Sequence, residues 1–193
     1  MKVKHLIGIV CLMTCMVLPT AIFAQDYAPV EIFGGLSTMR VGDWKIDGNT
    51  IPDSGGGMTG WGASVAFNIN PSWAIKADMS GLYAKVEESD ESAKRYNILG
   101  GVQYNIRQYE PINIFVEGLA GFTNYAEGDD SLKGLGLAFG GGVDWNITDK
   151  FAWRVAQAGY TFASLGNNDL FGDNKMKSSG FRFQTGILIF LGK

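Results

Sequence analysis

The sequence predicts an all-β protein, an eight-stranded antiparallel up-and-down transmembrane β-barrel behind an export signal. Three observations predict it. Apolar and polar residues alternate over eight segments, the connections between them are alternately short and long, and aromatic residues gather at both ends of the segments. Composition agrees: 46% of the 193 residues are hydrophobic and only 18% charged, too apolar a balance for a disordered chain. The 27 glycines follow no triplet period, which excludes a collagen. A formal net charge of −3 provides no basic face for a nucleic acid, and no such partner is expected.

Residues 1–24 read as a secretory signal. Lys2, Lys4 and His5 form a basic start, the run Leu6 to Leu18 is apolar, and Ala21-Ile22-Phe23-Ala24 offers a small-residue cleavage site before Gln25. The apolar run is too short for a membrane-spanning helix. Met13-Thr14 is a poor lead-in for lipid attachment at Cys15. The barrel domain is then residues 25–193, with 14 basic against 19 acidic side chains once Lys2 and Lys4 are removed. His5, Cys11 and Cys15 all lie inside the signal, so the exported chain has no imidazole or thiol. Zinc sites and Ser–His or Cys–His catalysis are excluded on that ground.

The alternating segments fall near residues 29–40, 60–69, 73–86, 95–107, 112–125, 134–147, 151–163 and 178–191. Each exceeds the ~9–11 residues that a tilted strand needs to cross a bilayer. No helical periodicity of useful length competes with them. Residues 68–72, 108–111 and 146–150 form short turns, whereas 41–59, 87–94, 126–133 and 164–177 form longer polar loops. Outer-membrane barrels are wired in this way, with the short turns on the periplasmic side.

Facing follows from the period of two. Trp61, Ala63, Val65 and Phe67 alternate with Gly62, Ser64, Ala66 and Asn68; Ile75, Ala77 and Met79 alternate with Lys76, Asp78 and Ser80. Leu135, Leu137, Phe139 and Val143 oppose Gly136, Ala138, Gly140 and Gly142, and Phe181, Phe183, Ile187 and Ile189 oppose Arg182, Gln184 and Gly186. A soluble ligand-binding barrel has the same period with the opposite assignment, so alternation alone leaves both open. Aromatic belts select the membrane reading. Trp73, Tyr104, Tyr109, Trp145, Phe151 and Trp153 lie beside the short turns, while Trp61, Tyr83, Tyr96, Tyr125 and Phe162 lie near the long loops. A girdle at each interface is expected where the apolar band meets lipid.

Two places strain the pattern. With Arg154 and Ala156 facing inward, Gln157 meets lipid unless a bulge shifts the register there, and Phe115 and Leu119 share the inward face with Glu117.

These residues give the chain a resemblance to the eight-stranded outer-membrane β-barrel family, the OmpA transmembrane domain and its OmpX-type relatives. The carriers are Val30-Glu31-Ile32-Phe33-Gly34-Gly35, Ala77-Asp78-Met79-Ser80-Gly81-Leu82-Tyr83, Phe139-Gly140-Gly141-Gly142-Val143-Asp144, Arg154-Val155 followed by Tyr160, and Gly186-Ile187-Leu188-Ile189-Phe190. The resemblance covers residues 29–193 and implies a bacterial outer-membrane location. Lipid and the barrel-insertion machinery are the partners it implies, and a monomer is expected. The chain departs from the family in ending Leu191-Gly192-Lys193 rather than on an aromatic residue, and in carrying Gly159 where an acid is usual.

The chemistry expected of the lumen rests on Glu31, Lys76, Asp78, Glu117, Asp144, Arg154 and Arg182, four acids and three bases on inward positions. A barrel of eight strands leaves room for little but side chains, so these charges must pair. They form either a closed plug or a gate whose pairs exchange partners to pass water and small ions. A catalytic pair among Asp78, Glu117 and Asp144 has no histidine to work with in the exported chain, and no enzyme is read. The long loops carry twelve acids and seven bases, the bases being Arg40, Lys45, Lys94, Arg95, Lys133, Lys175 and Lys177. An extracellular ligand at these acidic loops is open. The clusters Glu87-Glu88-Ser89-Asp90-Glu91 and Glu127-Gly128-Asp129-Asp130 lack EF-hand spacing, so no metal is expected, and no cofactor. Gly55-Gly56-Gly57 reads as a flexible loop tip, without the lysine and helix of a phosphate cradle.

Overall fold

The computed structural model describes residues 27–46, 49–52, 54–85, 92–127, 130–166 and 176–192. The export signal read at residues 1–24 lies outside them, as do most of the loop acids. Ten strands follow one another: β1 (Val30–Val41), β2 (Lys45–Ile46), β3 (Asn49–Thr50), β4 (Gly56–Asn68), β5 (Trp73–Lys85), β6 (Ser92–Tyr109), β7 (Ile112–Glu127), β8 (Asp130–Asn146), β9 (Phe151–Gly166) and β10 (Met176–Leu191). Eight are long and pair with their sequence neighbours, all antiparallel, and β1 pairs with β10 to close the sheet. Closure removes both sheet edges, which is what lets a sheet sit in hydrocarbon with every backbone group paired. The two-residue strands β2 and β3 hang from the end of β10 within the first long connection.

Each segment expected from alternation is a strand, but the strands run further into the long connections. β7 and β8 stay paired out to Glu127↔Asp130, and β4 begins at Gly56. Gly56 and Gly57 are therefore not a loop tip: they pair with Val41 and Arg40 of β1. The strands from β6 to β10 have 16 to 18 residues against 12 or 13 for β1, β4 and β5, so the wall rises unevenly above the membrane at the long-loop end.

The short turns are closed by local hydrogen bonds. Asn70 Oδ1 accepts from the N–H groups of Ser72 at 2.9 Å and Trp73 at 2.8 Å, and Thr148 Oγ1 accepts from those of Lys150 at 3.2 Å and Phe151 at 3.1 Å. Asx and hydroxyl turns of this kind fix hairpin register without a long loop. The third turn holds a cis Glu110–Pro111 bond.

The outward face carries Leu36, Phe122, Phe139 and Phe181, each at least 60% exposed, while the polar residues lie inside. A water-soluble ligand-binding barrel would need the reverse, so that reading fails. The register at the trouble spot is also resolved. Val143 and Asp144 of β8 face Ala156 and Arg154 of β9, and Gln184 and Gly186 of β10 face Gln157 and Arg154. The extra residue is a bulge at Val155–Ala156, and it turns Gln157 inward, where it is buried.

At the closing seam Gly35 pairs with Gly186. A Cβ on Gly35 would lie 2.1 Å from the carbonyl oxygen of Thr185, and one on Gly186 would lie 2.3 Å from that of Gly34. Close backbone approach is the reason for glycine here. Gly35→Val is expected to destabilise the barrel by about 1–3 kcal/mol through overpacking, read as a lower urea midpoint in detergent micelles; an unchanged midpoint would refute the tight-seam argument.

Candidate functional site: the charged lumen

The lumen is where the sequence concentrates chemistry, and the alternation of eight strands aims those residues at one another. All seven expected charges, Glu31, Lys76, Asp78, Glu117, Asp144, Arg154 and Arg182, are buried in the interior. Among the described residues six of them form three ion pairs, Lys76–Glu117, Arg154–Asp144 and Arg182–Asp78, and Glu31 pairs with Arg107, each pair 2.7 Å at closest approach.

The central layer is one continuous chain of polar contacts. Arg154 lays its fork on Asp144, with Nε to Oδ1 at 2.7 Å and Nη2 to Oδ2 at 3.0 Å. Its Nη1 donates to Gln157 Oε1 at 2.9 Å, Gln157 Nε2 donates to Glu117 Oε1 at 2.6 Å, and Lys76 Nζ donates to Glu117 Oε2. The bulge at Val155–Ala156 thus has a purpose: only with Gln157 inside are the two ion pairs joined. Aromatic faces stack into the same layer. The Arg154 guanidinium lies 4.7 Å from the Phe33 ring centre and 4.4 Å from that of Phe115, and Lys76 Nζ is 5.1 Å from Phe115. Phe115, which broke the polar pattern, serves these cations as a π surface.

Toward the long loops, Arg182 holds Asp78 and Ser80, whose hydroxyl accepts from Asn97 at 2.9 Å. Asn97 Oδ1 in turn accepts from Thr123 at 3.0 Å and Arg95 Nε at 3.2 Å. Toward the short turns, Glu31 Oε1 accepts from Arg107 at 2.7 Å and Asn68 at 2.8 Å, and Asn68, Asn105 and Gln103 continue the network. Apolar clusters pack beside these polar layers. Met39, Val41, Trp44, Met58, Leu82 and Leu165 pack at the long-loop end, and Ala28, Phe33, Ala152, Leu188 and Phe190 near the termini.

Three assignments change. Arg95, counted among the loop bases, is buried on β6 with its guanidinium against Asn97 and Ser178, and no carboxylate among the described residues pairs with it. Arg107 was not foreseen as a lumen residue, although it shares the inward spacing of Gln103 and Asn105. With both included, the interior holds four acids and five bases rather than four and three. The i, i+2 spacing from Arg95 through Asn97, Gln103 and Asn105 to Arg107 was the signal that could have found them.

Tyr125 is the third. The sequence places it in the outer girdle, but it shares the inward face of β7 with Thr123, and its ring meets Trp44 edge-on at 4.9 Å. The structure places Trp61, Trp73, Tyr83, Tyr96, Tyr104, Tyr109, Trp145, Phe151 and Trp153 exposed on the outer wall, with Phe162 half-buried there. Trp73–Tyr104 and Tyr83–Tyr96 form edge-to-face pairs across neighbouring strands, at 4.9 and 6.1 Å, and Trp145–Trp153 a tilted pair at 6.5 Å.

Residues 7–187 match the family model described as outer membrane protein beta-barrel domain. Similar solved structures include Neisserial surface protein A (TM-score 0.62, 12% identity), covering 85% of this chain and 98% of that one. The attachment invasion locus protein Ail of Yersinia pestis is similar at TM-score 0.54 and 18% identity, with 84% and 99% covered. OprG from Pseudomonas aeruginosa reaches TM-score 0.52 at 16% identity, with 87% and 98% covered. At such identities these likenesses concern the fold. A search of curated proteins by sequence finds no match.

Removing one partner of a buried pair leaves an uncompensated charge, at a cost of about 3–5 kcal/mol. Arg154→Ala is expected to lose that much in urea unfolding, and Arg154→Ala with Asp144→Asn less than the sum of the two single changes. Strict additivity would show that the pair is not coupled.

Proposed function

The chain belongs to the family of outer membrane protein beta-barrel domains, and on that premise we propose that it is a structural or surface-interaction barrel: its ion-paired lumen is closed and its long loops meet the outside. The observation that carries this reading is the continuous Asp144–Arg154–Gln157–Glu117–Lys76 chain across the middle of the barrel. Every acid in the lumen is engaged by a cation, and the central cations are further packed between Phe33 and Phe115. An ion on its way through must break several charge-assisted hydrogen bonds in a low-dielectric interior. At the long-loop end it must also cross the apolar cluster of Met39, Val41, Trp44, Met58, Leu82 and Leu165.

The same pairing supports a non-enzymatic role. Asp78, Glu117 and Asp144 are held as partners of Arg182, Lys76 and Arg154, which leaves no carboxylate free to carry a proton to a substrate. The proposal includes removal of residues 1–24 on export and a monomer in the membrane. A lumen closed in this way leaves the loops as the functional surface; the acids of the long loops are the groups through which a ligand would be met.

Planar-bilayer recording of the refolded protein tests the closed lumen. With insertion verified independently, the wild type is expected to give no discrete current steps, and Arg154→Ala to give brief openings as the central chain is cut. Stepwise conductance in the wild type, altered in Arg154→Ala, would overturn the closed reading in favour of a gate that works by exchange of ion-pair partners.

A further inference from the structure

A chain of amide hydrogen bonds near the short turns has a direction. It starts at the Glu31 carboxylate, which can only accept. Asn68 Nδ2 donates to Glu31 Oε1 at 2.8 Å and to the Ala28 carbonyl at 2.7 Å, so its Oδ1 is turned to accept from Asn105 Nδ2 at 3.2 Å. Asn105 Oδ1 in turn accepts from Gln103 Nε2 at 2.8 Å and from Asn113 Nδ2 at 3.5 Å. The carboxylate therefore fixes how each of these amides is turned, with the donors facing back toward it. At the far end one carbonyl oxygen is left over. Asn113 is buried, and its Oδ1 has no partner among the described residues. Flipping the Asn113 amide is no remedy, because two oxygens would then face each other at Asn105.

Asn113 lines a cavity of about 50 Å³ at the short-turn mouth of the barrel. Asn146, at the end of β8, lines it too, and its Oδ1 is likewise buried without a partner. Glu110, exposed in the turn between β6 and β7, adds a carboxylate, and Phe190 adds apolar surface. The cation on the wall is Arg107. Its Nε donates to the Pro71 carbonyl at 2.8 Å and its Nη2 to Glu31 and Asn68, while its Nη1 has no bond to a described residue. Acceptors without donors and a cation with a spare nitrogen thus share one space. A simple ammonium would meet the acceptors but lie beside the guanidinium, and a divalent cation asks for more than one carboxylate. An anion would suit Arg107 and leave both amide oxygens unmet. A group carrying N–H donors and negative charge side by side satisfies both walls.

We propose that the cavity lined by Arg107, Glu110, Asn113 and Asn146 binds an amino-acid-type zwitterion, an ammonium and a carboxylate on one carbon, from the short-turn side. The ammonium donates to Asn113 Oδ1, Asn146 Oδ1 and the Glu110 carboxylate, and the carboxylate accepts from Arg107. The site is separate from the Asp144–Arg154–Gln157–Glu117–Lys76 chain that closes the lumen, so it does not depend on whether the lumen conducts.

The test is an NMR titration of the refolded protein in maltoside micelles, whose headgroups carry no charge to compete. The side-chain amide signals of Asn113 and Asn146 and the Nε–H signal of Arg107 are followed as glycine, methylammonium or acetate is added. Glycine is expected to shift all three signals saturably, and methylammonium or acetate alone to bind roughly tenfold more weakly, each lacking one charge-assisted contact. Nε-acetyl-lysine carries the same ammonium and carboxylate on a longer molecule. A response to it as well as to glycine supports a site that reads the group wherever it is carried; a response to glycine alone supports a site for small free amino acids. Asn113→Leu, in which Asn105 Oδ1 keeps its donor from Gln103, is expected to weaken glycine binding roughly tenfold. Heat-modified electrophoretic mobility reports folding, and Asn146→Ala takes the place of Asn113→Leu should that variant not fold. Equal affinity for methylammonium and glycine overturns the proposal in favour of a plain cation site. The absence of a saturable shift with glycine overturns it in favour of a cavity that holds water only, and unchanged affinity in the folded variant overturns the assignment to these amides.

Discussion

Everything inside this protein depends on one constraint: eight strands close around a space that only side chains can fill. Inward residues cannot turn to water, so the buried acids find cations across the lumen or along the wall, although both ends of the Gln184 amide have no partner. The Asp144–Arg154 fork is the centre of the solution. Arg154 uses three nitrogens on two partners, Asp144 and Gln157, and Gln157 passes the connection to Glu117 and Lys76. A charge network of this kind gives little net stability over a well-packed apolar core, because desolvation offsets most of the attraction. What it supplies is register: a one-residue slip of β9 would take Arg154 away from Asp144 and leave both buried alone.

The bulge at Val155–Ala156 shows why this matters. Seen strand by strand, β9 violates the alternation, since Arg154 and Gln157 are three apart and both must face inward. A strictly alternating strand would put one of them in hydrocarbon. Inserting one residue is a local cost in backbone pairing, and it is offset by two charge-assisted hydrogen bonds at the centre of the barrel. The sequence carries the conflict openly; which of its resolutions is adopted depends on Glu117 and Asp144 lying on two other strands.

That example marks the boundary of what the sequence discloses. Strand number, facing and the division into short and long connections are properties of a period of two and of turn residues, so they are legible in one chain read alone. Seven lumen charges were legible for the same reason. Arg95 and Arg107 are the two end residues of the segment read at 95–107, where a long basic side chain suits loop or lumen; β6 runs on to Ser92 and Tyr109, which sets both inside the barrel. Tyr125 was misplaced because an aromatic near an interface suits either face; what settles it is Trp44, which folds in from the first long connection to meet its ring. Pairing partners were never legible, since Arg182 and Asp78 are 104 residues apart and only closure brings them together.

The distribution of polarity along the barrel axis completes the argument. Polar layers give way to an apolar cluster at the long-loop end, whereas Glu31, Asn68, Asn105 and Arg107 keep the lumen polar toward the short turns. Trp44 and Tyr125 belong to the upper cluster, and Trp44 is held from outside the strands: its N–H donates to Ser54 Oγ at 2.8 Å, and its carbonyl accepts from Ile51 at 2.9 Å. The first long connection therefore has a structural duty as well as an exposed one. It sets Trp44 against Tyr125 in the apolar cluster at the upper end of the lumen. Interior and exterior are thereby separated in chemistry. The ion pairs hold the register, the upper apolar cluster bounds the polar layers on one side, and Arg107 stays a quarter exposed on the other.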